Sequence, residues 1–250
     1  MKSKVYIFCV IFIISSFQMV FSQKTLMHEN ISTIQKEIQN AYEIDLYLDN
    51  CKNLNSIDSL LTTIFKNEKQ DLIKYWISYT KFYKTMYFLD KNKEDEAKTE
   101  VKKGIELLKN IETKNSEDLA LLALLQCVSI PLESMGGMYI LGDINRNIKK
   151  SIKLDPENIR AYYVAGSFDY YTPEAFGGGK EAERLFKKAI SLSEQKLMNK
   201  YLPSWGKEES YTLLIQLYKK RKQYDLAKKY YEEAHKMFPN NKVFKSFDSL

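Results

Sequence analysis

Turn-forming and reactive side chains are both scarce in this chain. Nine glycines and five prolines in 250 residues give too little punctuation for a sheet protein built on many tight turns. Three cysteines with no Cys-x-x-Cys pair, and only two histidines, give no support for a zinc module or a disulfide framework. No phosphate-loop glycine pattern and no Gly-x-Ser-x-Gly nucleophile elbow occurs. His28 and His235 have no Cys, Asp or Glu at a recognisable metal spacing, and a histidine without an orienting partner rarely serves as a catalytic base. These absences speak against an enzyme and imply neither a metal nor a cofactor.

What is present is ordinary globular material, 44% hydrophobic and 28% charged. Residues 1–22 differ. Lys2 and Lys4 precede an apolar run from Val5 to Ile14, and Val20-x-Ser22 stands before Gln23. The run is short for a bilayer span and has the three-part form of a secretory signal peptide, with an uncleaved anchor as the alternative. Cys9 lies inside the run rather than after a cleavage point, which argues against a lipoprotein anchor. Cleavage would leave no integral membrane span and would send the protein to a periplasm or out of the cell. It would also remove Lys2 and Lys4, lowering the formal charge from +6 to +4, with 36 basic residues against 32 acidic. So mild a bias, without an aromatic-basic platform, points away from nucleic acid. Of the cysteines Cys51 and Cys127 would remain, open either to pairing in an oxidising compartment or to two buried thiols.

Apolar residues recur at helical spacing nearly everywhere. Ile34, Ile38, Ala41, Ile44 and Leu48 step along one face; Ile57, Leu60, Leu61, Ile64 and Phe65 form a second stripe after a start at Asn55-Ser56. An aromatic stripe follows through Tyr75, Trp76, Tyr79, Phe82, Tyr83 and Met86, of the width that faces a core. Ser116 with Glu117 and Asp118 opens a helix whose Leu119–Val128 stretch is apolar almost all round, so it should be the most buried element. Pro131 should kink or end it, and Gly136-Gly137 should make the next turn.

One pattern repeats. Ala97-x3-Val101-x2-Gly104 aligns with Ile144-x3-Ile148-x2-Ser151, with Ala182-x3-Phe186-x2-Ala189 and with Ala227-x3-Tyr231-x2-Ala234-x4-Pro239. Small residues flanking a large one let a second helix approach its partner while one knob fills the gap. On these residues, and on Tyr211, Leu214, Ile215, Tyr218 and Tyr224 in the last unit, the chain resembles the tetratricopeptide repeat family from about Leu72 to Pro239. The units begin at 97, 144, 182 and 227, so their intervals of 47, 38 and 45 exceed the family's standard period and the array is degenerate. The segment Tyr170-Tyr171-Thr172-Pro173-Glu174-Ala175-Phe176-Gly177-Gly178-Gly179 further resembles periplasmic tetratricopeptide proteins, including the TatT-type components of tripartite solute transporters. The resemblance implies an all-α, right-handed stack of antiparallel helical hairpins. Residues 23–67 would cap one end, 68–239 would form the repeats, and 240–250 would be a carboxy-terminal capping helix or tail.

In that register the first-helix positions of two successive units are Arg160, Tyr163, Ser167, Tyr170 and Tyr171, then Glu209, Thr212, Gln216, Lys219 and Lys220. A tyrosine floor beside a basic wall suits an acidic peptide end or a carboxylate-bearing solute. The same tyrosines also suit packing between hairpins. Gly177, Gly178 and Gly179 either offer backbone N–H groups to an anion or permit a tight detour of the chain. The pairs Lys102-Lys103, Lys149-Lys150 and Lys187-Lys188 fall on the outer face of second helices, where solvation is their expected role. The expected function is non-catalytic recognition of a protein or peptide partner in the cell envelope, through Arg160, Tyr163, Ser167, Tyr170, Tyr171, Gln216, Lys219 and Lys220. The alternative is a solute-binding accessory of a transporter, holding a small organic acid.

Overall fold

A computed structural model describes residues 33–133, 137–194 and 201–239. The expected leader over 1–22, the tail over 240–250, His28 and Gly136 lie outside them. The described residues form ten α-helices and no strand. In order these are α1 (33–48), α2 (Lys52–Glu68), α3 (Asp71–Asp90), α4 (Glu94–Lys109), α5 (Ser116–Ser129), α6 (Leu141–Leu154), α7 (Ile159–Tyr171), α8 (Ala182–Ser191), α9 (Lys207–Lys220) and α10 (Tyr224–Met237).

Consecutive helices pair as hairpins, α3 with α4 through α9 with α10, and each hairpin packs on the next through both its members. The repeated small-large-small pattern makes this approach. Ala97, Val101 and Gly104, then Ile144, Ile148 and Ser151, then Ala182, Phe186 and Ala189 are all buried, as are Ala227 and Ala234 around half-buried Tyr231. Gly166 of α7 shows the knob at work: a methyl group there would stand 2.6 Å from the Phe186 ring. Near the centre, α5 buries almost every residue from Ser116 to Gln126, and Asn115 and Asp118 close a reciprocal capping box at its start with two 3.0 Å bonds. Pro131 ends it in a single 3₁₀ turn over Ile130–Leu132.

The first hairpin departs from the sequence reading. The α1 stripe runs Ile34, Ile38, Ala41 and then Asp45, all buried, whereas Ile44 and Leu48 are 47% and 54% exposed. Asp45 sits at a core position because its carboxylate caps α2, accepting from the backbone of Asn53 at 3.1 Å and of Leu54 at 2.9 Å. That borrowed cap also explains why α2 starts at Lys52 and not at Asn55-Ser56.

Two groups of buried charge join helices. Lys81 and Lys84 of α3 meet Asp58 of α2 at 2.6 and 3.3 Å and Glu100 of α4 at 2.9 and 3.0 Å. Arg160 of α7, fully buried, holds Glu117 of α5 in a two-point pair at 2.7 and 2.8 Å.

Residues 201–206, between α8 and α9, turn back across the face lined by the first helices. Ser204 donates its backbone N–H to Gln35 of α1 at 2.7 Å, across 169 positions of sequence. The Trp205 indole N–H reaches the Tyr75 hydroxyl of α3 at 2.8 Å, and the Trp205 carbonyl accepts from Arg160 at 3.2 Å. Gly206 closes the strap at φ +104, a region that side chains avoid, and a Cβ on it would stand 3.4 Å from the Arg160 Cα.

Candidate functional site on the first-helix face

The strap and α3 together build an aromatic cluster. Trp205 stacks on Tyr79 at 5.9 Å, and Tyr163 of α7 meets the indole edge-on at 5.9 Å. Tyr79 stands at right angles to Tyr83 at 5.1 Å, and Tyr83 in turn touches Phe82 and Tyr42. The hydroxyls of Tyr79 and Tyr83 are 3.4 Å apart, and the Gln39 amide donates to Tyr79 at 3.4 Å. Tyr79 and Trp205 are buried, at 1% and 3% exposure, while Tyr83 and Tyr163 stay partly accessible at the edge of the cluster.

Burial, more than any one charge, sets its electrostatics. Glu209, in the first turn of α9, accepts from the Gly206 backbone at 2.6 Å and is partly accessible. Burial pushes its pKa up, with the Glu194 carboxylate adding to this and Arg160 opposing it. Burial raises the phenols of Tyr79, Tyr83 and Tyr163 as well, and the Glu209 charge raises all three further. The hydroxyls therefore stay protonated at any physiological pH and can donate. Beside Glu209, burial and then the charges of Glu209 and Glu194 push Glu208 up to about 7. Among the described residues no Lys or Arg forms an ion pair with Glu208 or Glu209.

The residues expected on this face are divided between its two ends. Tyr163 and Ser167 join the cluster; Ser167 is 8% exposed, and its buried Oγ lies beside the Tyr163 hydroxyl. Arg160 must be corrected. It is no open wall, because its guanidinium is committed to Glu117 and to the strap carbonyl. Tyr170, Tyr171, Gln216, Lys219 and Lys220 lie two to three turns away at the carboxy-terminal ends of α7 and α9. There Tyr170 packs on Phe186, while Tyr171 is 70% exposed and Lys220 is exposed. Tyrosine floor and basic wall are thus not brought together around Tyr163, where the near charge is Glu209.

The glycine bend is a detour. Gly177 donates to the Glu174 carbonyl at 2.9 Å, Gly178 to Pro173 at 3.3 Å and Gly179 to Asp169 at 2.9 Å, which leaves no N–H of the three for an anion. A Cβ on Gly178 would fall 2.0 Å from the Thr172 carbonyl oxygen. The Asp169 carboxylate takes the α8 amino terminus, accepting from Glu181 at 2.9 Å and Ala182 at 2.8 Å. On its outer side the same bend borders an open groove of about 430 Å³ between α6, α7 and α8. Ile148, Ile152, Phe168 and Leu185 line it with the exposed Phe176, and Lys149 and Arg184 stand among its polar lining.

The α3 aromatics pack as their stripe implied, with Tyr75, Trp76 and Tyr79 buried. Sequence reasoning missed that Trp205 joins them. The available signal was Pro203-Ser204-Trp205-Gly206, which puts a large aromatic in a turn-rich connection. Cys51 and Cys127 are both free thiols, raised by burial to about 11 and about 12. No cluster of His, Cys, Asp and Glu among the described residues could hold a metal, and none of the described helices is long and apolar enough to cross a membrane.

No protein-family model matches the sequence, nor does any curated protein. Solved structures do match. A thermophilic TPR protein of Thermus thermophilus superposes with a TM-score of 0.55 at 16% identity, over 84% of this chain and 95% of that one. The HusA haemophore from Porphyromonas gingivalis superposes with a TM-score of 0.51 at 21% identity, over 67% of this chain and 84% of that one. A third, YrrB, titled a TPR protein with an unusual peptide-binding site, aligns at a TM-score of 0.40 and 12% identity, too loosely to bear on this chain. The fold is an all-α, right-handed stack of antiparallel hairpins, a tetratricopeptide-like solenoid.

Proposed function

We propose that this is a non-catalytic, exported binding protein of the cell envelope whose first-helix face receives an extended stretch of a partner polypeptide. The strap carries the proposal. Residues 201–206 lie on that face and are held as a bound peptide would be: Gln35 takes a backbone N–H, Arg160 a carbonyl, and an aromatic slot takes the side chain. Beyond the strap the face continues through Tyr83, Tyr163, Tyr171 and Lys220. Repeat solenoids present such faces without a cofactor. The test is capture on a peptide array by the protein as its host exports it, with Tyr83→Ala plus Tyr171→Ala as control. Selective capture that the double variant loses, with helical content kept, is expected; equal capture by the variant would count against the face. Amino-terminal sequencing of the exported protein should begin at or near Gln23.

A second reading has its own observation. The Phe176 groove, at about 430 Å³, has the volume of a small-ligand site. An apolar floor with Lys149 at hand, and Arg184 paired with Glu181 at 2.7 Å beside it, suits a flat, amphipathic acid, the class to which the ligand of a haemophore belongs. Haemin titration would show it as a shifted Soret band abolished by Phe176→Ala. An unchanged spectrum removes haem as the ligand.

A further inference from the structure

We infer that one edge of the stack, at its α7–α10 end, docks on an anionic lipid surface. Because the helices run antiparallel, the odd-numbered ones end and the even-numbered ones begin on the same edge. Contacts join neighbouring links along it: Asp49 after α1 pairs with Lys91 after α3 at 3.1 Å, and Arg221 after α9 donates to the Gly179 carbonyl of the glycine bend at 3.0 Å. Eleven large hydrophobic side chains are exposed among the described residues, and eight of them stand on this edge. Ile44, Tyr47 and Leu48 close α1, Tyr139 precedes α6, Tyr171 and Phe176 flank the start of the bend, and Tyr224 and Leu226 open α10. The opposite edge carries Leu154 and Met237. Single exposed apolar residues are ordinary, but their confinement to one edge marks a contact surface.

The form of the edge selects a lipid over a protein. Its five aromatics, Tyr47, Tyr139, Tyr171, Phe176 and Tyr224, are 58–88% exposed and stand on four separate links. A protein partner needs one close-packed complementary patch. The headgroup layer takes rings singly, holding the apolar body of a tyrosine in the interface and its hydroxyl in water. Charge then fixes which end makes the contact. Lys180, Lys220 and Lys222 are exposed and form no ion pair among the described residues. The acids around them are mostly committed: Glu181 holds Arg184 at 2.7 Å, Glu183 holds Lys187 and Arg221 at 2.7 and 2.6 Å, and Asp169 caps α8. Asp225 lies in the first turn of α10, where the helix dipole offsets it, which leaves Glu174. Lysine stems can lie beside the rings while their ammonium groups reach lipid phosphate. The other end is unsuited, because Glu94, Asp95 and Glu96 open α4 there.

The test floats the full protein, as its host exports it, on vesicles of phosphatidylcholine alone and of phosphatidylcholine mixed equally with phosphatidylglycerol. Flotation on the anionic vesicles, falling as salt rises, is expected. Lys180→Glu with Lys222→Glu should weaken that binding at least tenfold, and Tyr224→Ser with Leu226→Ser severalfold. Neither pair lines the Phe176 groove or belongs to the peptide face, so lipid docking and those readings fail separately. On anionic vesicles hydrogen exchange should slow in the links at 172–181 and 219–225 and stay unchanged in those at 110–115 and 155–158. Absence of flotation, equal flotation on both vesicles, binding undiminished by both pairs with helical content kept, or protection confined to the opposite links overturns the inference. A protein partner lost on Tyr224→Ser with Leu226→Ser, in a chain that ignores vesicles, assigns the edge to protein and overturns it too.

Discussion

Buried charge is treated in opposite ways on the two sides of α3. Lys81 and Lys84, on one face, are matched one for one by Asp58 and Glu100, and the four groups tie three helices together. On the side of Tyr79, the first turn of α9 carries Glu208 and Glu209, which form no ion pair among the described residues. Matched charge joins parts of a fold. The unmatched acids serve a helix end instead: Glu209 accepts from the Gly206 backbone and caps α9.

The largest effect should come from turning a matched pair into an unmatched one. Arg160→Ala strands the Glu117 carboxylate in a dry core and should cost ~3–5 kcal/mol in chemical denaturation, whereas Arg160→Met with Glu117→Leu should recover most of that loss. Replacing Gly166 by Ala forces a methyl group against the rigid Phe186 ring at 2.6 Å, and about 1–3 kcal/mol is expected in the same assay.

Next, acid and neutral pH should separate the matched acid from the unmatched one. Burial alone would raise Glu100, but hydrogen bonds and charge from Lys81 and Lys84 outweigh it and hold the group at about 2 against an ordinary 4.5. A depressed acid favours the folded state where it is ionised, so this contribution is complete above 4.5 and disappears as pH falls toward 2. Glu208 runs the other way. Raised from 4.5 to about 7, it binds a proton more tightly when folded, so stability declines as pH climbs from 4.5 to 7 and the full penalty persists above. Melting temperature against pH should slope downward over that upper window, and Glu208→Gln should flatten it. Asp118, raised by burial from 3.8 to about 6, leaves a residual slope in the variant. The smallest effect belongs to the exposed pairs: alanine at Lys149 and Lys150 should change stability by less than about 0.5 kcal/mol.

How far the fold was legible follows from the same contrast. Ala97, Val101 and Gly104, like Ala182, Phe186 and Ala189, announce themselves because close packing imposes a period on neighbours in sequence. The solvated lysine pairs are legible for the same reason. Asp45 was not, since its function is to cap a helix other than its own, and a polar residue in a core stripe carries no local sign of that. Arg160 misled because register fixes a position but not a partner: Glu117, 43 residues earlier, turned an outward cation into an internal one. The place of Trp205 in the aromatic cluster escaped because it arrives from a connection that follows no helical period.

That connection also changes how the molecule should come apart. In an open array each hairpin holds only its neighbours, so pulling on the ends peels units off one after another at low force. Here Gln35 and Ser204 clasp elements 169 residues apart, and tension applied between α1 and α9 loads the Trp205 anchor before any hairpin opens. A single high rupture in the force record, followed by small ones, would be the signature. Closing so long a loop is also slow, which would make docking of the strap the last event in folding.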